Sequence, residues 1–254
     1  MHVIMVPGMW LDASAWDAVA PIVRQAGHDV ETLSLPGQGS RTADRTGIGF
    51  DDWVQAVVDR IDAAFEAGAG SEAGAASEAG AGSAQIALVG HSAAGTVVSV
   101  AADRRASRIG AVVHVDSAPF PEGDHTNDEF PVVDGEIPWP DRSGFGDAML
   151  RDMTDELWAT MSARAVPVPG GTAVQSFRFT DPARHAIPTT VIASEMSPDE
   201  LSEGIRSGAG WASELAATED LRIVGLDTGH WAMFTRPEEL AALIVDALAP
   251  RPLV

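Results

Sequence analysis

A serine set among small residues carries the first chemical signal in this chain. Gly90-His91-Ser92-Ala93-Ala94-Gly95 follows the apolar run Ile86-Ala87-Leu88-Val89 and precedes a helix-like stretch over 95–105. A strand that turns sharply into a helix forces its apex residue toward strained backbone angles, and only small neighbours let strand and helix approach. Such a turn lifts the Ser92 hydroxyl clear of the sheet and aims the first helical amides at developing negative charge. A glycine-rich turn with an incidental serine has a similar spelling, so the hydroxyl needs partners elsewhere.

A serine hydroxyl is a weak nucleophile without a base, and histidine is the side chain best suited to take its proton and return it. His230 falls in Asp227-Thr228-Gly229-His230-Trp231, the loop after the last predicted strand. The other histidines fit worse. His2 opens a strand, His28 ends a helix, His91 sits in the turn, His114 lies within a strand, and His125 and His185 flank an inserted cap. The base needs an acid to fix its tautomer, and two carboxylates compete for that place. Asp116 closes the strand after the serine's helix, giving the chain order serine, acid, histidine; Glu195 stands in Ser194-Glu195-Met196-Ser197, at a later strand end. We favour Asp116 and keep Glu195 as the alternative acid, while Asp116 also reads as a turn-initiating aspartate bonding its own backbone and Asp227 as a loop cap. The backbone amides of Met9 and Ala93 are the natural pair of oxyanion donors.

These groups must be positioned by strands. Segments 3–6, 29–35, 86–89, 109–115, 187–193 and 221–226 read as strands, mostly separated by helix-length sequence. A helix capped by Ser14 is predicted through Trp16, Val19, Ile22 and Val23 to Gly27. Phe50, Trp53, Val54, Val57, Val58, Ile61 and Phe65 repeat at helical spacing. Ser197-Pro198-Asp199-Glu200 and Thr235-Arg236-Pro237-Glu238 read as capping boxes, the second opening a terminal helix. The pattern predicts an α/β fold, a doubly wound, mostly parallel sheet with helices on both faces, and ligands beyond the carboxyl ends of its strands. Residues 1–118 and 186–254 form the core. Residues 119–185, proline-rich with one good helix near 154–163 and no matching strand, read as a cap insertion. The repeated Ser-Glu-Ala-Gly segment over 67–84 reads as a flexible loop.

Composition narrows the function classes. The chain has 254 residues, 45% hydrophobic, without a long apolar run, so no membrane span is predicted. The absence of cysteine excludes disulfides, thiolate chemistry and cysteine-ligated metal. All 16 basic residues are arginine against 37 carboxylates, for a formal charge of −21. Such a surface repels phosphate backbones and anionic lipid, which makes nucleic acid and membrane poor partners and a small molecule the expected one. The opening Met1-His2-Val3-Ile4 lacks the basic flank of a signal peptide and reads as a strand, so a cytoplasmic location is expected.

Val6-Pro7-Gly8-Met9-Trp10-Leu11-Asp12-Ala13-Ser14-Ala15-Trp16, Leu33-Ser34-Leu35-Pro36-Gly37-Gln38-Gly39, Val115-Asp116-Ser117-Ala118-Pro119 and His230-Trp231 together carry a resemblance. Over nearly its whole length the chain resembles an α/β-hydrolase-fold protein, similar to compact bacterial hydrolases related to the plant methylesterase and hydroxynitrile lyase group. It departs from that pattern at Pro7, at Ala94 in place of the last glycine of Gly-x-Ser-x-Gly, and in having no aspartate in the usual acid turn. The resemblance implies hydrolysis of a carboxylic ester or lactone through an acyl-enzyme on Ser92, without metal or organic cofactor. Ser92 where haloalkane dehalogenases and epoxide hydrolases carry aspartate counts against those activities. A small to medium, mainly apolar substrate is expected, with Trp10, Phe120, Trp139, Met149, Trp158, Met196, Trp211 and Trp231 available to line a pocket. A cofactor-free lyase using the same serine and histidine as a proton relay, and a non-catalytic small-ligand binder, are the competing readings.

Overall fold

The computed structural model describes residues 1–69, 86–127 and 129–250. Its strands are β1 (His2–Val6), β2 (Asp29–Thr32), β3 (Ile86–His91), β4 (Ile109–Val115), β5 (Glu136–Ile137), β6 (Val168–Pro169), β7 (Thr189–Ala193) and β8 (Leu221–Gly225). Six of them form one sheet in the order β2-β1-β3-β4-β7-β8, with every pairing parallel. Burial follows position, as a parallel sheet covered on both sides requires. All six residues of β3 are buried, whereas the edge strand β8 has none buried.

The helices are α1 (Ala20–Gln25), α2 (Phe50–Ala69), α3 (Ala94–Arg104), α4 (Asp155–Arg164), α5 (Gly170–Val174), α6 (Pro198–Ser207), α7 (Ser213–Ala217), α8 (Ala232–Thr235) and α9 (Pro237–Ala247). Parallel crossovers are right-handed. The step from β1 to β2 runs one way along the sheet and the steps from β2 to β3 and β3 to β4 run the other, so α1 lies on one face and α2 and α3 on the opposite one. The packing agrees, with α1 against α9 and α2 against α3. On α2, Trp53, Val54, Val57, Val58 and Ile61 are each at most 1% exposed. Burial of side chains this large contributes roughly 1.5–3 kcal/mol apiece.

Several local expectations are corrected. The single helix from Ser14 to Gly27 is a 3-10 turn, Ala13–Trp16, capped by Asp12, followed by α1. Pro21 is the reason, since it lacks an N–H and therefore sits near a helix start. Residues 67–69 continue α2, and most of the expected 67–84 loop lies outside the described residues. Thr235 makes no capping box, because it closes α8 and turns its hydroxyl to Thr228 at 2.6 Å. Ser197 does cap α6 reciprocally with Glu200.

Residues between β4 and β7 carry α4, α5 and, contrary to expectation, a strand pair, β5 antiparallel to β6. With two residues each, these strands are too short to leave a periodic signal. The segment is fastened to the core at its far end by Asp103 of α3, a fully buried carboxylate that accepts from the amides of Thr180 and Asp181 and from the Thr180 hydroxyl, and pairs with Arg184. No helix among the described residues is long and apolar enough to cross a membrane.

Candidate active site

β3 ends at His91 and α3 begins at Ala94, so Ser92 and Ala93 turn the chain. Ser92 has a φ of 54°, in the left-handed region that costs a side chain about 1–3 kcal/mol. The turn is held by the Ser92 amide donating to the Val115 carbonyl at 3.2 Å, and by the Gly95 amide and Ser117 hydroxyl donating to the Ser92 carbonyl at 2.8 and 2.6 Å. Space decides which residues must be glycine. A Cβ on Gly95 would lie 1.8 Å from Ser117 Oγ, and one on Gly8 would lie 2.6 Å from Ser92 Cβ. On the helical side of the turn the glycine that space requires is therefore residue 95, as Gly90 is on the strand side, where a Cβ would lie 2.7 Å from the Ala94 carbonyl oxygen, and Ala94 fits fully buried at the start of α3.

Asp116 follows β4, the neighbour of β3, and also has a positive φ, 42°. Its Oδ1 accepts from the amides of Ser194 and Glu195 at 2.9 and 2.8 Å, and its Oδ2 lies 2.6 Å from His230 Nδ1. It does not bond its own turn as an Asx residue would; it caps the turn after β7. Burial opposes its ionisation, but the His230 hydrogen bond and charge together with the two amides outweigh burial and hold the carboxyl below its usual range. A carboxylate can only accept, so His230 Nδ1 carries the proton and Nε2 is free to act as base. That Nε2 lies 2.9 Å from Ser92 Oγ. Glu195 Oε2, on a side chain 41% exposed, stands 3.9 Å from the same Nδ1. Partial burial, reinforced by repulsion from Asp116 and Glu129, raises its carboxyl despite the opposing pull of His230.

The backbone of the histidine loop is pinned from two sides. The amides of Gly229 and His230 donate to the carbonyls of Arg151 and Met149 at 3.1 and 2.9 Å, and His91 Nε2 donates to the His230 carbonyl at 2.9 Å. Burial and the nearby His230 lower His91 to about 3, so it stays neutral under its neighbour's ring, 4.7 Å away. Sequence reasoning assigned His91 no role, and no local signal reveals a contact 139 residues distant. Asp227 is not a loop cap: it is 94% exposed and pairs with Arg151 at 2.8 Å.

The loop after β1 completes the arrangement. Gln38, wholly buried and also unanticipated, donates to the Gly8 carbonyl at 3.2 Å. Trp10 has a φ of 63°, and its carbonyl accepts from Val166 at 2.9 Å while its Nε1 donates to the carbonyls of Ile137 and Pro138 at 3.2 and 3.1 Å. The amides of Met9 and Ala93 have no acceptor among the described residues, and both residues line the same cavity as Ser92 and His230. This cavity is about 760 Å³. Trp10, Phe120, Met149, Met196, Trp211 and Trp231 line it, as does Phe130, which sequence reasoning missed. Trp139 and Trp158 are not among the residues lining it; their rings lie 5.0 Å apart, packed at tilted and edge-on angles with Phe145.

Asp116, Glu195 and His230 bring ligand atoms within 4.8 Å of one another. Asp116 and His230 already engage those atoms mutually, so a cation there would have to displace their hydrogen bond. A second groove of about 720 Å³, between residues 43–49 and 171–175, is lined by no serine or histidine among the described residues.

The sequence profile of the Alpha/beta hydrolase family matches residues 3–243. Esterase PIR7B of Oryza sativa subsp. japonica is 28% identical over 118 residues, 46% of this chain and 38% of that protein, so the match spans well under half of the relative. Among solved structures, an extracellular α/β-hydrolase from a Paenibacillus species aligns with a TM-score of 0.71 at 20% identity, over 97% of this chain and 98% of its own. A methylesterase from Arabidopsis aligns at 0.69 and 16% identity, and a pyrethroid hydrolase from Sphingobium faniae at 0.69 and 17%, each over 98% of both chains. With the profile running through the sheet and the Ser92 turn and into the terminal helix, and the same fold in these structures, the chain belongs to the alpha/beta hydrolase family.

Proposed function

We propose that this protein is a serine esterase that cleaves a carboxylic ester or lactone of a small to medium, mainly apolar substrate. The observation that carries this reading is the hydrogen-bonded chain from Ser92 Oγ through His230 to Asp116, with distances of 2.9 and 2.6 Å, on the wall of a cavity that also holds two unengaged amides. In the proposed reaction His230 Nε2 takes the Ser92 proton as Oγ attacks the ester carbonyl, and Asp116 stabilises the imidazolium. The amides of Met9 and Ala93 meet the oxyanion; losing one such donor typically costs about 100-fold or more in rate. Collapse expels the alcohol, protonated by His230, and leaves an acyl group on Ser92. Water, deprotonated by His230, then releases the acid and restores the serine. The names of the relatives, esterase, methylesterase and pyrethroid hydrolase, support the reaction class.

The test is reaction with a fluorophosphonate followed by intact mass, alongside aryl esters of increasing acyl length. One adduct, mapped to Ser92, and turnover of at least one ester are expected. No adduct and no turnover would return the fold to the lyase or binding readings.

A further inference from the structure

The fixed charges around the cavity share one sign. Among the described residues lining it, Asp116, Asp124, Glu129, Glu195 and Glu200 contribute carboxylates and no arginine does, while the chain has no lysine. Asp116 is engaged by His230 and two amides, Glu200 by the amide and hydroxyl of Ser197, and Asp124 lies 3.7 Å from His125. Glu129 and Glu195 are exposed and repel each other, one of the effects that raise the Glu195 carboxyl after desolvation itself.

Two further observations are independent of these charges. Trp211 and Phe120 on the cavity wall are 39% and 37% exposed, open ring surfaces of the kind that attract a cation through their quadrupole. His91, which also lines the cavity, has its Nδ1 buried without a hydrogen-bond partner. Because its Nε2 carries the ring proton, that Nδ1 bears a lone pair and no positive charge, and from its buried place it adds to the negative potential of the wall without bonding a ligand. The lining thus offers acceptors and aromatic faces and no fixed cation for an anionic substrate.

We propose that the cavity selects esters by charge, taking one with a substituted ammonium group in preference to its neutral isostere and rejecting one with a carboxylate, with Glu129 and Glu195 as the discriminating residues. This rests on the esterase reading above. The test uses the full chain at low ionic strength and three butyrate esters: butyrylcholine, 3,3-dimethylbutyl butyrate and an ester of similar length ending in a carboxylate. Expected is a kcat/KM for the cation about tenfold above the neutral ester, and for the neutral ester about tenfold above the anion. Both ratios should narrow in about 1 M salt, where the Debye length falls to about 3 Å. Choline should likewise protect Ser92 from the fluorophosphonate at lower concentration than 3,3-dimethylbutanol. Glu129→Gln and Glu195→Gln should each lower the cation-to-neutral ratio, in turnover or protection, several-fold. A wild-type ratio at or below one overturns the proposal while leaving the esterase reading standing, and a ratio unmoved in both variants overturns the residue assignment. No adduct on Ser92 and no turnover of any ester would instead overturn the reading on which it rests.

Discussion

Two neighbouring strand ends each present a carboxylate to His230, and only one is built to hold it. After β4, Asp116 sits in a left-handed turn, 6% exposed, with one oxygen on two backbone amides and the other 2.6 Å from Nδ1. After β7, Glu195 reaches to 3.9 Å, is 41% exposed, and its own amide is among the donors that orient Asp116. The turn after β7 thus supplies two amides to the carboxylate at the neighbouring strand end. Chain position alone does not make a carboxylate a partner. The backbone donors around it must favour its charged form, and their absence leaves Glu195 disfavoured where Asp116 is favoured.

The comparison breaks most visibly in turnover. Asp116→Asn should lower kcat by roughly three to four orders of magnitude, since the amide can hold the wrong tautomer of His230. Adding Glu195→Gln to that variant should cost little more; a large further fall would mean that Glu195 had stepped in as acid. Glu195→Gln alone should change turnover of a neutral ester by less than about tenfold, and a larger loss would reverse the two roles. The smallest effect lies in stability against pH. The lowered carboxyl of Asp116 stabilises the fold above the ordinary aspartate range, and that contribution is lost as pH falls through the lowered value. Glu195 has the opposite sign. Its raised carboxyl lets the folded state hold the proton longer, so stability falls as pH rises from the ordinary glutamate range through the raised value. Glu195→Gln should therefore raise Tm at pH 7 by no more than about 2 °C and lose that gain below about pH 4, as thermal unfolding at several pH values would read.

Much of this was legible in the sequence because it rests on local patterns. β3 opens with the apolar run Ile86–Val89, β4 is apolar apart from His114, Ser92 is followed by small residues, and His230 follows a strand end. What was not legible depends on contacts between distant parts of the chain. The preference for Asp116 over Glu195 could be argued from chain order, but the amides that separate them come from residues 78 and 79 positions away. Trp139 and Trp158 differ from Trp211 in exposure and not in spelling, because tertiary packing and not the local sequence decides which ring faces the cavity. Ala94, an irregularity in the motif, proves indifferent because Ser117 crowds residue 95 instead.

The fastening of the cap has a consequence for how such a protein can change. Carbonyls at Met149 and Arg151 hold the histidine loop, and Val166, Ile137 and Pro138 hold the loop that carries Met9. The segment that shapes the apolar wall is thus also the jig that aims the groups proposed to react. Exchanging it whole for a homologous insertion would alter substrate range and catalytic alignment in one stroke. Wall side chains such as Phe130 and Met149 can vary while those backbone bonds persist, so evolvability in this scaffold resides in the cap's side chains more than in its length.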